Sequence, residues 1–447
     1  MMSDEMSAAS KSPKDFPLYA PGESVAGPTM GLLEDPIGYH LEAYRQFGPT
    51  YRTTFWGEES LCLSGLEANE FIWRNSDLWN YSLTRASFRE EFGEDYLTQL
   101  DGRRHKKKRV RLNPSFRPDF LMSGSPQMNA VVLEDVEKVV GQIVDLRQVC
   151  YRLLLHMTSK GLLGLEVPEA AEKAILQVEH DLLFAGLTGP ARRSWFERPI
   201  YQQAKVVVVE YLGSIVDEWT AQPEKAPEMY KLGTKVPEGE PPLSREELTG
   251  DLYLLLTGGL NSTANLILWT LMQVYHRPDW LAQLQAEVEA VPPAQFTAMK
   301  QWPKIKATIQ EIERLRPATP VNVLIPAADF EYQGIAFKKG EPVTHFLVLP
   351  HFLPEIYEQP AGFRPERFLG DTAYPAKAQA TFGGGAHMCI GMPLARLQSP
   401  LILANIVLNY EIAFMKKPSF RAKLAAALTP ADDRIEVKIE RRKKIES

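Results

Sequence analysis

The stretch Phe382-Gly383-Gly384-Gly385-Ala386-His387-Met388-Cys389-Ile390-Gly391 limits what this chain can become more than any other. Three consecutive glycines allow backbone angles and close approaches that side chains forbid. Met392-Pro393-Leu394-Ala395-Arg396-Leu397 follows as the start of an apolar helix, and Pro393 is tolerated in its first turn. Cys389 is therefore expected just ahead of a helix N-terminus, where backbone N–H groups are unpaired and the dipole favours an anion. A cysteine in that position is held as the thiolate, the form that binds a metal. Zinc is a poor match, because Cys62 and Cys150 are isolated and only His387 lies near Cys389.

The pattern resembles the haem-binding signature of the cytochromes P-450. Phe382, Gly385, His387, Cys389 and Gly391 fall at the signature's spacing, with Gly383 in the same loop. In such proteins a single thiolate is the axial ligand of an oxygen-activating haem iron. The resemblance runs from roughly Pro21 to the end of the chain. It implies haem b with Cys389 as its ligand, and a mainly α fold with a small β-rich lobe. A long distal helix would cross the haem, and the cysteine loop would lie on the proximal face. Residues 1–20 are expected to be a flexible segment ahead of a single domain spanning 21–447.

Composition agrees with that scale. The chain has 447 residues, 45% of them hydrophobic, enough for a large buried core. A net charge of −6 gives no global bias toward nucleic acid. Three cysteines argue against a disulfide scaffold and fit a reducing compartment. Met1 to Lys14 is polar and lacks the apolar run of a signal peptide or membrane anchor, so a cytoplasmic protein is expected. Thr50 to Phe55 and Ser60 to Leu63 read as strands joined by a turn at Trp56-Gly57-Glu58-Glu59. Helical spacing runs from about Pro126 to Tyr275, and Ile435, Val437 and Ile439 alternate as a half-exposed strand. Ala221 to Pro242 is Pro- and charge-rich and reads as an exposed connection.

Ser244 and Glu247 form a capping-box pattern, opening a helix expected to run to about Tyr275. At the usual rise, some 30 residues span about 45 Å. Gly258 and Gly259 interrupt it, each weakening a helix by roughly 1 kcal/mol relative to Ala. A kink that opens a groove for a ligand is one use for them. The resemblance aligns this pair with the small residues of the distal helix, Asn261 with its usual acid, and Ser262 with its first threonine. Thr263 follows. Cleaving dioxygen requires protons, normally from a positioned donor. Ser262 keeps a hydroxyl, whereas Asn261 cannot exchange a proton as a carboxylic acid does. Proton delivery is then expected through Ser262, ordered water or a substrate hydroxyl, with Asn261 orienting water.

His105 and Arg109, four apart in a run of bases from Arg103 to Arg111, match the family's haem-propionate partners, with His387 as a third. The other bases read as a solvated face or as a docking patch for an acidic electron donor. Glu313 and Arg316, ahead of Pro320-Val321, are taken as the family's Glu-x-x-Arg pair, completed by Arg367. Glu311 and Arg314 form a rival pair, and the Pro-Val spacing favours the former. The strand Val323-Leu324-Ile325-Pro326 lacks the arginine usual there, and His351-Phe352-Leu353-Pro354 stands where His-Arg-Asp-Pro is frequent. Pocket candidates are Phe88, Phe92, Phe184, Phe196, Gly258, Gly259, Val321 and Val323, with Asn265, Ser262 and Asn322 as polar anchors. The implied activity is O2-dependent hydroxylation or O-dealkylation of a lipophilic small molecule. Electrons would come from NAD(P)H through a separate ferredoxin or flavodoxin and its reductase. A peroxide-driven or isomerising haem-thiolate enzyme, or a non-catalytic haem-binding sensor, is the alternative.

Overall fold

The computed structural model describes residues 14–15, 26–55, 58–84, 86–185, 191–370, 374–425 and 427–443. It is mainly helical with small sheets, as the sequence predicts. Four helices form the centre: α1 (Ser125–Glu137), α2 (Leu146–Leu162), α5 (Leu260–Tyr275) and α7 (Met392–Asn409). Helix α5 is buried along most of its length, so its sequence Leu-Ile-Leu-Trp-Thr-Leu-Met needs no polar face. Polar atoms inside this core find partners. Trp269 Nε1 donates to the Leu428 carbonyl at 3.1 Å, and Tyr275 donates to the Tyr410 carbonyl at 2.8 Å. Outside the bundle, α3 (Glu169–Ala185) packs on the 23-residue helix Pro199–Ala221.

The β-rich lobe is a five-stranded sheet in the order Lys14–Asp15, Thr50–Phe55, Glu58–Ser64, Val343–Phe346, Asn322–Leu324. Its central register puts Cys62 between Tyr51 and Thr344, sealing one face over Ala43, Phe346 and Val348. The second strand begins at Glu58, earlier than expected. Of the expected turn, Trp56 and Gly57 lie outside the described residues, as does most of the expected flexible stretch 1–20. A second sheet sets Glu436–Arg441 between Tyr410–Phe414 and Ile143–Asp145, which places the alternation of Val437 and Ile439 near the C-terminus.

Two expectations change in detail. The Ser244–Tyr275 helix is two helices, α4 (Arg245–Thr257) and α5, separated by Gly258 and Gly259. Its opening is as expected: the Ser244 hydroxyl accepts from Glu247 N at 3.1 Å and the Glu247 carboxylate accepts from Ser244 N at 2.8 Å. The connection after Ala221 is not exposed throughout. A short helix at Glu228–Thr234 buries Met229 and Tyr230, and the stretch from 235 to 243 is mostly exposed. Among the described residues no helix is long and apolar enough to cross a membrane.

Candidate functional site

Loop closure begins at Phe382. The backbone N–H of Cys389 donates to the Phe382 carbonyl at 2.9 Å, folding Phe382 to Cys389 into a loop that leads into α7. Gly383 and Gly385 hold φ of +68° and +65°, which favour glycine. A Cβ at Gly384 would collide with the Trp73 indole, and one at Gly385 with the Trp73 carbonyl. The glycines are thus needed where the loop lies against the sheet lobe. Cys389 is exposed at its end, three residues ahead of Met392, the first residue of α7.

Cationic and imidazole groups gather beside the thiol. His387 is stacked between Tyr81 at 3.5 Å and His105 at 3.8 Å, centroid to centroid. His105 lies on the helix Gly102–Leu112 and is buried; desolvation and the nearby Arg109 guanidinium lower its pKa. Arg109, half-buried on the same helix, is lowered by desolvation and raised by the charge of Cys389. His105, Arg109, His387 and Cys389 are therefore brought to one place from two distant segments. Of the other bases, Arg103, Arg104, Lys106 and Lys107 form the expected solvated face, two of them in surface ion pairs, whereas Lys108 and Arg111 turn inward. Lys108 and Arg111 converge on buried Asp251, Arg104 pairs with Asp95 at 2.7 Å, and Lys107 pairs with Glu240.

The ionic network behind the loop has a different membership from the one the Pro-Val spacing suggests. Buried Glu311 takes two hydrogen bonds from Arg314, at 2.9 and 2.8 Å, and a third from Arg367 at 3.2 Å. Arg314 also donates to the His351 and Pro360 carbonyls, each at 2.7 Å. The network is therefore Glu311–Arg314–Arg367. Glu313 and Arg316 are not its members, because helix α6 (Pro303–Leu315) ends before Arg316, whose backbone is no longer helical. Arg316 instead donates to the Phe420 carbonyl at 3.1 Å and lies over Trp269. Glu313 pairs with Arg396 of α7 at 3.0 Å, while its carbonyl accepts from Thr381 at 2.8 Å. Both acids thus brace the loop, by separate routes. His351 adds a third, accepting from Ala380 N at 3.0 Å with its Nε2 and donating from Nδ1 to the Arg314 carbonyl at 2.9 Å. Burial keeps this imidazole neutral, with its pKa lowered to about 3.

On the distal side, Gly258, Gly259 and Ser262 are exposed within a stretch, Gly250 to Met272, that is otherwise buried. These three share one helical face. Asn261 and Thr263 are buried. Asn261 is turned into the protein, where its Oδ1 accepts from Tyr151 of α2 at 2.5 Å. Asn265 is spent in the same way, donating to Tyr151 at 3.0 Å and to the Asn261 carbonyl at 2.9 Å, so it is no pocket anchor. Val323 is exposed on its strand, and Val321 and Asn322 are half-buried. Phe88 is buried and stacks on Tyr96, Phe92 on Tyr253, and Phe184 packs against Trp195 and His180. Phe196 is buried against Tyr201.

Two residues at this site escaped the sequence reading. Glu179 of α3 is 5% exposed, and its carboxylate accepts from Tyr253 at 2.7 Å. Tyr151 holds the Asn261 amide. Neither has a local signature, since each reaches the distal helix from another helix. An acid among the buried positions of α3 was the only available clue.

The residues present suit a thiolate-ligated haem: an exposed cysteine in a glycine cradle, basic groups beside it, and an open Gly-Gly-Ser strip on the long helix. Relatives extend along nearly the whole chain. A sterol 14alpha-demethylase of Mycolicibacterium vanbaalenii is 24% identical over 425 residues, covering 91% of this chain and 93% of that protein. A putative cytochrome P450 120 of Synechocystis is 24% identical over 432 residues, covering 94% and 95%. The retinoic acid-bound structure of cyanobacterial CYP120A1 shares the fold with a TM-score of 0.81 at 24% identity, over 96% of this chain and 99% of that one. The family model for cytochrome P450 matches residues 29–437, and the chain belongs to that family of haem b monooxygenases.

Proposed function

We propose that this protein hydroxylates or O-dealkylates a lipophilic small molecule, and that Cys389 would hold the iron of its haem through its sulfur. The observation that carries the reading is the exposed Cys389 thiol, fixed by the glycine loop and set beside Arg109 and the His105–His387 stack. When bound, haem would supply dioxygen activation, with one oxygen atom going into a C–H bond and the other leaving as water at the expense of two protons and two electrons. Arg109 would neutralise a haem propionate, and His105 and His387 would offer imidazole hydrogen bonds to the propionates. The bracing from Glu311, Glu313 and His351 holds the loop so that the sulfur keeps a fixed position. Ser262, exposed on the distal strip, donates and accepts the protons that oxygen cleavage consumes.

Substrate recognition is mainly apolar. Val321 and Val323 supply branched surface where many relatives place an arginine, and the missing side chains of Gly258 and Gly259 leave room above the helix. Phe184 and Phe88 complete the apolar lining in this reading. A mostly apolar pocket with few polar groups selects by shape. Relatives named for sterol demethylation and a neighbour bound to retinoic acid make those two ligand classes the first to try. Electrons come from NAD(P)H through a separate ferredoxin or flavodoxin and its reductase.

The test is a spin-state titration of the haem-loaded protein with a sterol, retinoic acid and a long-chain fatty acid. At least one is expected to give a saturable shift of the Soret band, weakened by Val323→Arg. A panel in which none shifts the band contradicts the lipophilic-substrate reading.

A further inference from the structure

The distal helix has an amide where its relatives carry an acid, yet a carboxylic acid lies within reach of that amide. Glu179 approaches from α3 and is enclosed by three neutral side chains: Tyr253 and Thr257 from α4 and Asn261 from α5. Tyr253 and Thr257 are fully buried. The Asn261 amide is oriented by Tyr151, which leaves its Nδ2 in a buried position with no partner at hydrogen-bond geometry. That nitrogen is one of the groups that bear on the Glu179 carboxyl. Asn261 is thus clamped between the acid and Tyr151, one residue before the exposed hydroxyl of Ser262.

We propose that Glu179 is the proton-holding acid of this enzyme, displaced from the distal helix to α3, and that it acts through Asn261 and Ser262 as a positioning residue. The proposal rests on the monooxygenase reading and names its proton source. In each delivery Ser262 gives its hydroxyl proton to the oxygen being cleaved and regains one from a water, oriented by Asn261, that takes the Glu179 carboxyl proton; a proton from bulk water restores the carboxyl. Such a role requires an acid that is partly protonated at neutral pH. Burial raises Glu179 to about 7, against the opposing effect of the Tyr253 hydrogen bond and of the nearby Asn261 and Thr257 side chains. Among the described residues none of the groups shifting it is charged. The titratable groups around it are Tyr253, Tyr151, which Glu179 itself raises, and Tyr96 behind Tyr253. On its own helix, Asp181 is engaged by Arg198, Gln177 and His180. From the elements packed outside, Glu91 is tied to Tyr201 and Lys205.

Infrared difference spectra across pH, together with product formed per NAD(P)H consumed, test this on haem-loaded wild type, Glu179→Gln and Tyr253→Phe. In wild type a protonated-carboxyl C=O band is expected to titrate near neutrality, and Glu179→Gln removes it. Tyr253→Phe deletes a hydrogen bond that lowers the Glu179 pKa, so the midpoint moves to higher pH. Product per NAD(P)H falls in wild type as pH rises through the midpoint, since the proton is lost. It follows the shifted midpoint in Tyr253→Phe, and is several-fold lower and independent of pH in Glu179→Gln. Asn261→Asp placed in the Glu179→Gln background restores it, which a purely structural role does not predict. A wild-type protein with no such band, or a Glu179→Gln variant with unchanged product per NAD(P)H, overturns the proposal. A preparation without a thiolate-type carbon monoxide band overturns the monooxygenase reading itself, and is told apart by that missing band.

Discussion

Gly385 leaves no room for a methyl group. Its φ of +65° costs an L-residue roughly 1–2 kcal/mol, and the added Cβ would collide with the Trp73 carbonyl. Gly385→Ala is expected to lower the melting temperature and the haem content of purified protein together. A variant that retains full haem would show that the loop does not need this close approach. The two acids behind the loop separate just as clearly. Glu311→Gln leaves Arg314 and Arg367 buried without their shared counter-charge, which costs about 3–5 kcal/mol. Glu313→Gln loses one pair with a half-exposed Arg396, worth about 1 kcal/mol or less. Urea unfolding of both variants checks the order, and equal losses would contradict it. These residues also mark where sequence stops being informative. Cys389, Gly383 and Gly385 were legible because their roles depend on neighbours a few positions away. The choice between Glu311 and Glu313 depended on where a helix ends, and the spacing to Pro320-Val321 does not fix that point.

Helix contacts introduce a further pH dependence. His156 of α2 lies between Asp135 of α1, at 2.5 Å, and Glu172 of α3, at 3.2 Å. Hydrogen bonds to these two carboxylates raise its pKa from 6.5 to about 9. The folded-state value is the higher one, so the charged imidazolium stabilises fully below about pH 6.5, and that contribution is lost as pH rises through about 9. The shift corresponds to roughly 3 kcal/mol at most. Asp135 and Glu172 have the opposite sign: both are lowered, and their contribution disappears as pH falls through the acid range. Melting temperature is expected to decline between about pH 6.5 and 9 in wild type and to be flatter in His156→Gln over that window. Identical slopes would show that the clip does not bear load. At this scale the sequence was informative about existence and vague about continuity. The Ser244 capping box, the interruption at Gly258-Gly259 and the apolar run of α5 were all visible, whereas the inward turn of Asn261 required the packing of α2 and α3. Glu179 and Tyr151 belong to those partner helices, which is why no motif around Asn261 pointed to them.

Over the whole molecule, two distant parts of the chain meet at one sulfur. The helix carrying His105 and Arg109 lies near residue 105, the loop carrying His387 and Cys389 nearly 300 positions later, and the central bundle fixes their approach. The same bundle places α5 against α7, so the open Gly-Gly-Ser strip and the cysteine loop belong to one packed unit. Mainly α architecture was readable because helical periodicity persists over most of the middle of the chain. The order of the five-stranded sheet was not, because its strands come from segments near residues 15, 50, 60, 323 and 345 that share no local signal. Each role assigned to the loop and to the distal strip depends on Cys389 holding a haem iron. The carbon monoxide difference spectrum of the reduced, purified protein, recorded for wild type and Cys389→Ser, tests that most directly. A red-shifted Soret band in wild type that the substitution abolishes is the predicted result. A histidine-type band, or a protein that binds no haem, would contradict it.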